Sequence, residues 1–203
     1  MKKLALLLSM ATCLFLFSFS SDKKGYQVGD DVVDFNLKNT KGEMISLASY
    51  KDAKGFIIVF TCNHCPFSVA YEDRIIALQA KYGAKGFPVV AINSNNKEVV
   101  PEDSYEEMIK RAAEKKFNFN YLYDSTQEIA HQFGAARTPH VFIVEKQKSN
   151  LKMKYIGAID DNTDEPEAAT KKYVESAVDE ILAGKEVTTP MTKAIGCTIK
   201  WKK

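Results

Sequence analysis

Cys62 and Cys65, in the run VFTCNHCPFS (59–68), stand two residues apart where an apolar stretch ends and a helical pattern begins. Two thiols at this spacing can grip a metal ion, reduce a peroxide, lock the fold as a structural bridge, or open and close as a disulfide that passes electrons. A zinc site would need a second ligand pair, which is missing. Covalent haem would need His where Pro66 stands. Beyond residue 20 the cysteines are Cys62, Cys65 and Cys197, an odd number that leaves at least one thiol unpaired in a monomer. A framework of structural bridges is therefore a poor use of them, and a working Cys62/Cys65 pair is the expectation.

The elements around the pair read as alternating strands and helices. DFNLKNTKGEMISLASY alternates apolar and polar residues about Lys41-Gly42, which predicts a hairpin. GFIIVFT (55–61) is a continuous apolar run of the kind buried on both faces of a sheet. PFSVAYEDRIIALQAKYG predicts a helix with Pro66 in its first turn, Gly83 at its end, and Val69, Ile75, Ile76 and Leu78 along its apolar stripe. FPVVAINSN (87–95) is a second buried strand, and Asp103 with Glu106 has capping-box spacing for a helix that follows. NFNYLYD predicts a short strand, STQEIAHQFG a short helix, and PHVFIVE with LKMKYIGAID an antiparallel pair about KQKSN. EPEAATKKYVESAVDEILAG predicts a long last helix with Val174, Ala177, Val178 and Ile181 in the core. The class is α/β: a mixed sheet flanked by helices, with an N-terminal hairpin.

Cys-Asn-His-Cys after a buried strand, together with Arg137-Thr138-Pro139-His140 just before the next long apolar strand, resembles the thioredoxin superfamily over roughly residues 28–184. The hairpin and the additional central helix are similar to its extracytoplasmic redoxin branch, of thiol-disulfide reductases and peroxiredoxin relatives. The resemblance implies a thioredoxin-like fold, a cis Thr138-Pro139 bond against the active disulfide, and protein clients docked along that loop by backbone pairing. It implies Cys62, Cys65, His64, Thr138 and Pro139 as site residues, with no cofactor and no metal. GCTIKW near the C-terminus is similar to a segment of bacterial redoxins with the same TCNHCP core.

Physical reasoning supports the motif separately. A cysteine at a helix N-terminus meets unpaired N–H groups and the positive end of the helix dipole, which favour thiolate. Cys62 is expected there as the attacking sulfur, with Cys65 one turn on as the resolving one. The dipole supplies ~0.3–2 kcal/mol, at most about one and a half pKa units. His64 is the expected additional donor, and a His before the second cysteine resembles the strongly oxidising members of the superfamily. Thioredoxin's buried acid, six residues before its first cysteine, is replaced by Phe56, and the glutamate six after the first cysteine in cytochrome-maturation reductases by Ser68. Glu72 reads as a solvated helix charge.

Thiol-disulfide exchange with protein partners therefore ranks first. A thiol-dependent peroxidase with antioxidant activity is the alternative: Thr61 and Arg137 would flank the thiolate, but peroxiredoxins carry Thr or Ser three residues before the peroxidatic cysteine, and Cys62 and Val59 occupy those positions here. Copper delivery by two cysteines and His140, a soft ligand set, ranks third. His131 reads as structural. Cys197 reads as a small apolar residue docking the tail with Trp201 as anchor, or as a third redox thiol that accepts the disulfide from Cys62.

Residues 1–20, with Lys2-Lys3, an apolar core and small residues before SDKK, read as a secretory signal peptide, with an uncleaved membrane anchor as the rival and lipidation at Cys13 less favoured. Residues 21–203 then form one domain with a core of about 28–184 and a tail of 185–203, placed outside the cytoplasm, in a bacterial periplasm, and monomeric. The leader removes two lysines and no acid, so the formal charge falls from +2 to about zero. That balance argues against nucleic acid as a partner. Membrane association is expected only if the leader stays.

Overall fold

The computed structural model describes residues 25–148 and 150–202. The leader expected at 1–20 lies outside them. Among the described residues no helix is long and apolar enough to cross a membrane.

The chain runs β1 (Asn36–Asn39), β2 (Met44–Ser46), β3 (Gly55–Phe60), α1 (Pro66–Tyr82), β4 (Val89–Asn93), α2 (Tyr105–Glu114), β5 (Asn120–Tyr123), α3 (Glu128–Phe133), β6 (Arg137–Thr138), β7 (His140–Gln147), β8 (Asn150–Gly157), α4 (Tyr173–Leu182) and β9 (Cys197–Thr198). Seven strands form one sheet in the order β2-β1-β5-β4-β3-β7-β8, and β6 pairs with β9 in a separate ribbon. β3, β4 and β5 are parallel, as the helices between them require, while β7 and β1 join antiparallel on either side. This is the thioredoxin-like α/β fold with the expected hairpin at β1-β2.

β3 explains why the sheet holds. Phe56, Ile58 and Phe60 enter one core with Val90, Ile92, Leu122 and Phe142, while Ile57 and Val59 enter the other with Val89, Val141 and Ile143. Apolar layers on both faces are why its sequence shows no alternation. α1 and α4 cover the second face, through Tyr71, Ile75, Leu78 and Tyr82 and through Val174, Ala177, Val178 and Ile181. The α4 stripe is as expected; on α1, Val69 is instead 36% exposed, because the true stripe runs 71, 75, 78, 82 at helical spacing. α3 closes the first face through Ala130 and Phe133. Its C-cap, Gly134, has φ 71°, and a side chain there would strike the Gly25 backbone.

The last helix is shorter than expected. Asp161 accepts from the Thr170 and Lys171 N–H groups and from the Thr170 hydroxyl, so this stretch is held to a loop and α4 begins only at Tyr173. The tail then returns across the molecule. Ile156 N–H bonds Pro190 and Thr192 N–H bonds Ile156 on β8, and β9 lies beside β6.

Candidate functional site

The end of β3 delivers Thr61 and Cys62 into the interior, and Cys65 is the N-cap of α1. The expectation that Cys62 begins the helix is corrected here. Cys62 lies three residues earlier, with the Cys65 backbone N–H directed at its sulfur. Its thiol is 2% exposed, donates to Thr138 Oγ1 at 3.3 Å, and lies 3.8 Å from Ser68 Oγ. Burial pushes the Cys62 thiol up, and the Asp103 carboxylate pushes it further, against its hydrogen bonds with Thr138, the Cys65 backbone and Ser68. In this state Cys62 is a buried thiol.

The disulfide joins Cys65 to Cys197, with Cα atoms 6.2 Å apart, and Cys62 is free. The bridge expected between Cys62 and Cys65 is thus replaced by one to the tail, and Cys197 takes its disulfide on Cys65 rather than from Cys62. The cause is the β6/β9 ribbon. Thr138 faces Cys197 in its antiparallel register, and the same Thr138 carbonyl lies 3.3 Å from the Cys65 sulfur. The Thr138-Pro139 bond is cis, and both residues are buried. Arg137 extends from the same strand, exposed, and donates to Gly196 O at 3.0 Å. Gly196 has no room for a side chain, since a Cβ would lie 2.2 Å from Thr138 O.

His64 turns to Asp103, its Nδ1 2.9 Å from Oδ2. Asp103 is fully buried and also accepts from Asn63 N–H at 2.7 Å, His64 N–H at 3.3 Å and Asn95 Nδ2 at 2.7 Å. Its expected capping box is therefore absent: Asp103 ends a short 3-10 turn, Ser104 is the N-cap of α2, and the carboxylate ties the Cys62–Cys65 loop to the end of β4. This is the residue that sequence reasoning missed; the Pro101 preceding it was the available sign of a separate turn.

Glu72, expected to be solvated, is 4% exposed and paired through both oxygens with Arg111 at 2.6 and 2.8 Å. A cavity of about 10 Å³, lined by Thr61, Cys62, Asn63, Glu72 and Tyr121 among others, separates it from Cys62. That is about the space of one water.

A ligand set of two cysteines and His140 is not assembled. Cys65 is in the disulfide, and His140 packs on Phe142 with ring centres 4.5 Å apart while its Nδ1 faces Ala136 N–H. Cys62, His64 and Asp103 do bring donor atoms within 4.8 Å of one another. The Asp103 oxygens there are already taken by four N–H groups. Burial lowers His140 to about 4, so its contribution to stability is complete above the unfolded value near 6.5 and is lost as pH falls through 4. The loss should reach about 3 kcal/mol. His140→Gln is expected to flatten this acid limb, measured as the urea midpoint at pH 7 and pH 4; equal slopes in both proteins would exclude His140 as its source.

A parallel β3-β4-β5 core, a cis-proline loop and a cysteine pair at the mouth of α1 define a redox-active enzyme of the thioredoxin superfamily. Residues 28–152 match the AhpC/TSA family, and the chain belongs to it. It is similar to an uncharacterized conserved protein from Geobacillus kaustophilus, 38% identical with a TM-score of 0.80 over 87% of this chain and 93% of that one. A hypothetical protein from Sinorhizobium meliloti 1021 is 32% identical, also with a TM-score of 0.80, over 88% and 96%. The thiol-disulfide oxidoreductase ResA of Halalkalibacterium halodurans is 22% identical over 139 residues, 68% of this chain and 74% of that protein.

Proposed function

We propose that the protein is a thiol-dependent peroxidase working outside the cytoplasm, in which Cys65 attacks small hydroperoxides and Cys197 closes the disulfide. One observation carries the reading: Cys65 caps a 17-residue helix and is bonded to a cysteine 132 residues away, on a strand that fills the edge beside Pro139. That edge is where a protein client would pair its backbone, so the arrangement favours a small oxidant. The family match favours the same order. The Cys65 thiolate, stabilised by the free N–H groups of the first turn, attacks one peroxide oxygen, the O–O bond breaks, and an alcohol leaves with a proton. Cys65 is then a sulfenic acid. The Cys197 thiol attacks that sulfur, the S–S bond forms, and water leaves.

Thiol-disulfide exchange through Cys62 and Cys65 is the second reading. It is favoured by the Cys62 thiol, which lies with Cys65 against Thr138 and accepts the Cys65 N–H.

The fully reduced protein separates the two. Its second-order rate with hydrogen peroxide is expected to exceed that with oxidised glutathione by at least about tenfold, a difference of ~1.4 kcal/mol in barrier. Cys65→Ser should abolish the peroxide reaction, and Cys62→Ser should retain most of it. A faster disulfide reaction that is lost in Cys62→Ser would reverse the assignment.

A further inference from the structure

Each time the Cys65–Cys197 pair is reduced the tail loses its covalent tie, and Cys197 must still stand beside Cys65 for the bond to close again. The β6/β9 ribbon that brings them together is short, pairing only Arg137 with Thr198 and Thr138 with Cys197. Three residues further on, the tail enters a built seat. Lys200 has both backbone groups taken: its N–H donates to Asn95 Oδ1 at 2.9 Å, and its carbonyl accepts from the Asn96 N–H and from the Gln127 side chain, each at 2.9 Å. Lys202 N–H donates to Gln127 Oε1 at 2.7 Å. The Gln127 amide thus brackets Trp201, taking the carbonyl before it and the N–H after it, as a peptide group of a neighbouring parallel strand would.

Gln127 has no other task that explains its placement. It is the N-cap of α3, yet its side chain caps no N–H of that helix. Its backbone has φ 64°, in the left-handed region that residues with a side chain adopt only uncommonly. It is 4% exposed, and its second amide N–H donates to Ser94 O at 2.6 Å, so both N–H groups and the oxygen are engaged and the amide has one orientation. Asn95 ties the same seat to the cysteine loop. Its Nδ2 donates to Asp103, whose carboxylate also accepts from the Asn63 and His64 N–H groups. The segment carrying Cys65 and the segment carrying Cys197 are therefore registered on the same residues just past the end of β4.

We propose that Gln127 is a positioning residue for closure of the Cys65–Cys197 bond: it keeps the tail seated whether or not the disulfide exists, so that Cys197 stays within reach of the Cys65 sulfur. Seating replaces a search by a loose tail with a local approach, which is the origin of a high effective concentration. The inference rests on Cys65–Cys197 being the oxidised form in turnover, and not on peroxide being the oxidant.

The test uses the full chain with Cys62→Ser, equilibrated with reduced and oxidised glutathione and no peroxide. The Cys65 thiolate attacks oxidised glutathione and one glutathione thiolate leaves; Cys197 then attacks the Cys65 sulfur and the second leaves, so two protein thiols have passed two electrons to one glutathione disulfide. The equilibrium ratio is the effective concentration of Cys197 at Cys65. Gln127→Gly removes the amide at a backbone angle that glycine adopts freely, and should lower that concentration about tenfold through the two hydrogen bonds lost to the tail. Gln127→Asn, whose amide is one methylene short of the tail, should lower it similarly. Trp201, the one tryptophan of the chain, stacks on His131 at 4.2 Å and reports the seat by its emission. Reduced Cys62→Ser protein should keep the emission of the oxidised form, whereas both Gln127 variants should shift toward solvent-exposed tryptophan on reduction. A general loss of stability acts on both redox forms alike, so an unchanged effective concentration overturns the positioning role even where the variants melt earlier. A Trp201 that moves into solvent on reduction with Gln127 in place overturns it as well, since the disulfide would then hold the tail. A protein that shows the expected glutathione equilibria yet reacts slowly with peroxide would sink only the peroxidase reading.

Discussion

Reducing the disulfide is expected to lower the unfolding free energy of the protein by about 4–5 kcal/mol, since a closed loop of this length removes roughly that much chain entropy from the unfolded state. The loop is set by the pairing of Cys65 with Cys197, 132 residues apart. A bridge between Cys62 and Cys65 would close only a few residues, and the same relation then yields about 1.5–2 kcal/mol. The size of the effect therefore reports which bond exists. Thermal melts with and without a phosphine reductant should differ by about 8–20 °C for a chain of this size. Cys197→Ser should melt like the reduced wild type and ignore the reductant, while Cys62→Ser should keep the full response. A wild-type shift within the short-loop range, abolished by Cys62→Ser, would restore the pairing expected from the motif.

The sheet was legible in the sequence because its strands are buried on two faces, and only apolar residues satisfy both cores at once. GFIIVF and the first four residues of VVAIN carry that constraint, and the last, Asn93, is buried only with its side-chain amide donating to Asp103 O. Pro66 and Thr138-Pro139 were legible because proline restricts its backbone wherever it stands. What depended on distant partners was not. Nothing local to Cys197 says that β9 will lie beside β6, and the spacing of Cys62 and Cys65 points to each other rather than to a thiol 132 residues away. Glu72 carries the charge of a surface residue, and its burial is explained by two distant cations, Arg111 on α2 and Lys115 at the end of that helix. Ala169, Lys171 and Lys172 are good helix formers, and Asp161 draws the stretch into a loop through its carboxylate and through its own N–H, which donates to Lys171 O.

Asp103→Asn should bring the Cys62 thiolate to lower pH while making the protein less stable. The two consequences come from different parts of the carboxylate. Its charge is one of the two causes that raise the Cys62 thiol, the larger being burial, and an amide removes that charge without emptying the site. Its four acceptor contacts, to Asn63 N–H, His64 N–H, His64 Nδ1 and Asn95 Nδ2, hold the loop against β4. An amide nitrogen placed toward Asn95 or His64 meets donors instead, so about 2–4 kcal/mol of stability should be lost, at ~1–3 kcal/mol per buried group left unpaired. The sign with pH follows from the same shift. A thiol raised in the folded state stabilises it below the unfolded value of 9.0 and loses that contribution as pH rises through the folded one. Wild-type protein should therefore weaken above pH 9, and Asp103→Asn should weaken less over the same interval despite its lower starting stability. Thiolate absorbance at 240 nm, in a Cys65→Ser/Cys197→Ser background where Cys62 alone titrates among the described residues' cysteines, reads the first effect. Urea midpoints from pH 7 to 10 read the second. A Cys62 titration that does not move, with stability lost equally at every pH, would make Asp103 a scaffold for the loop and remove it from control of the thiol.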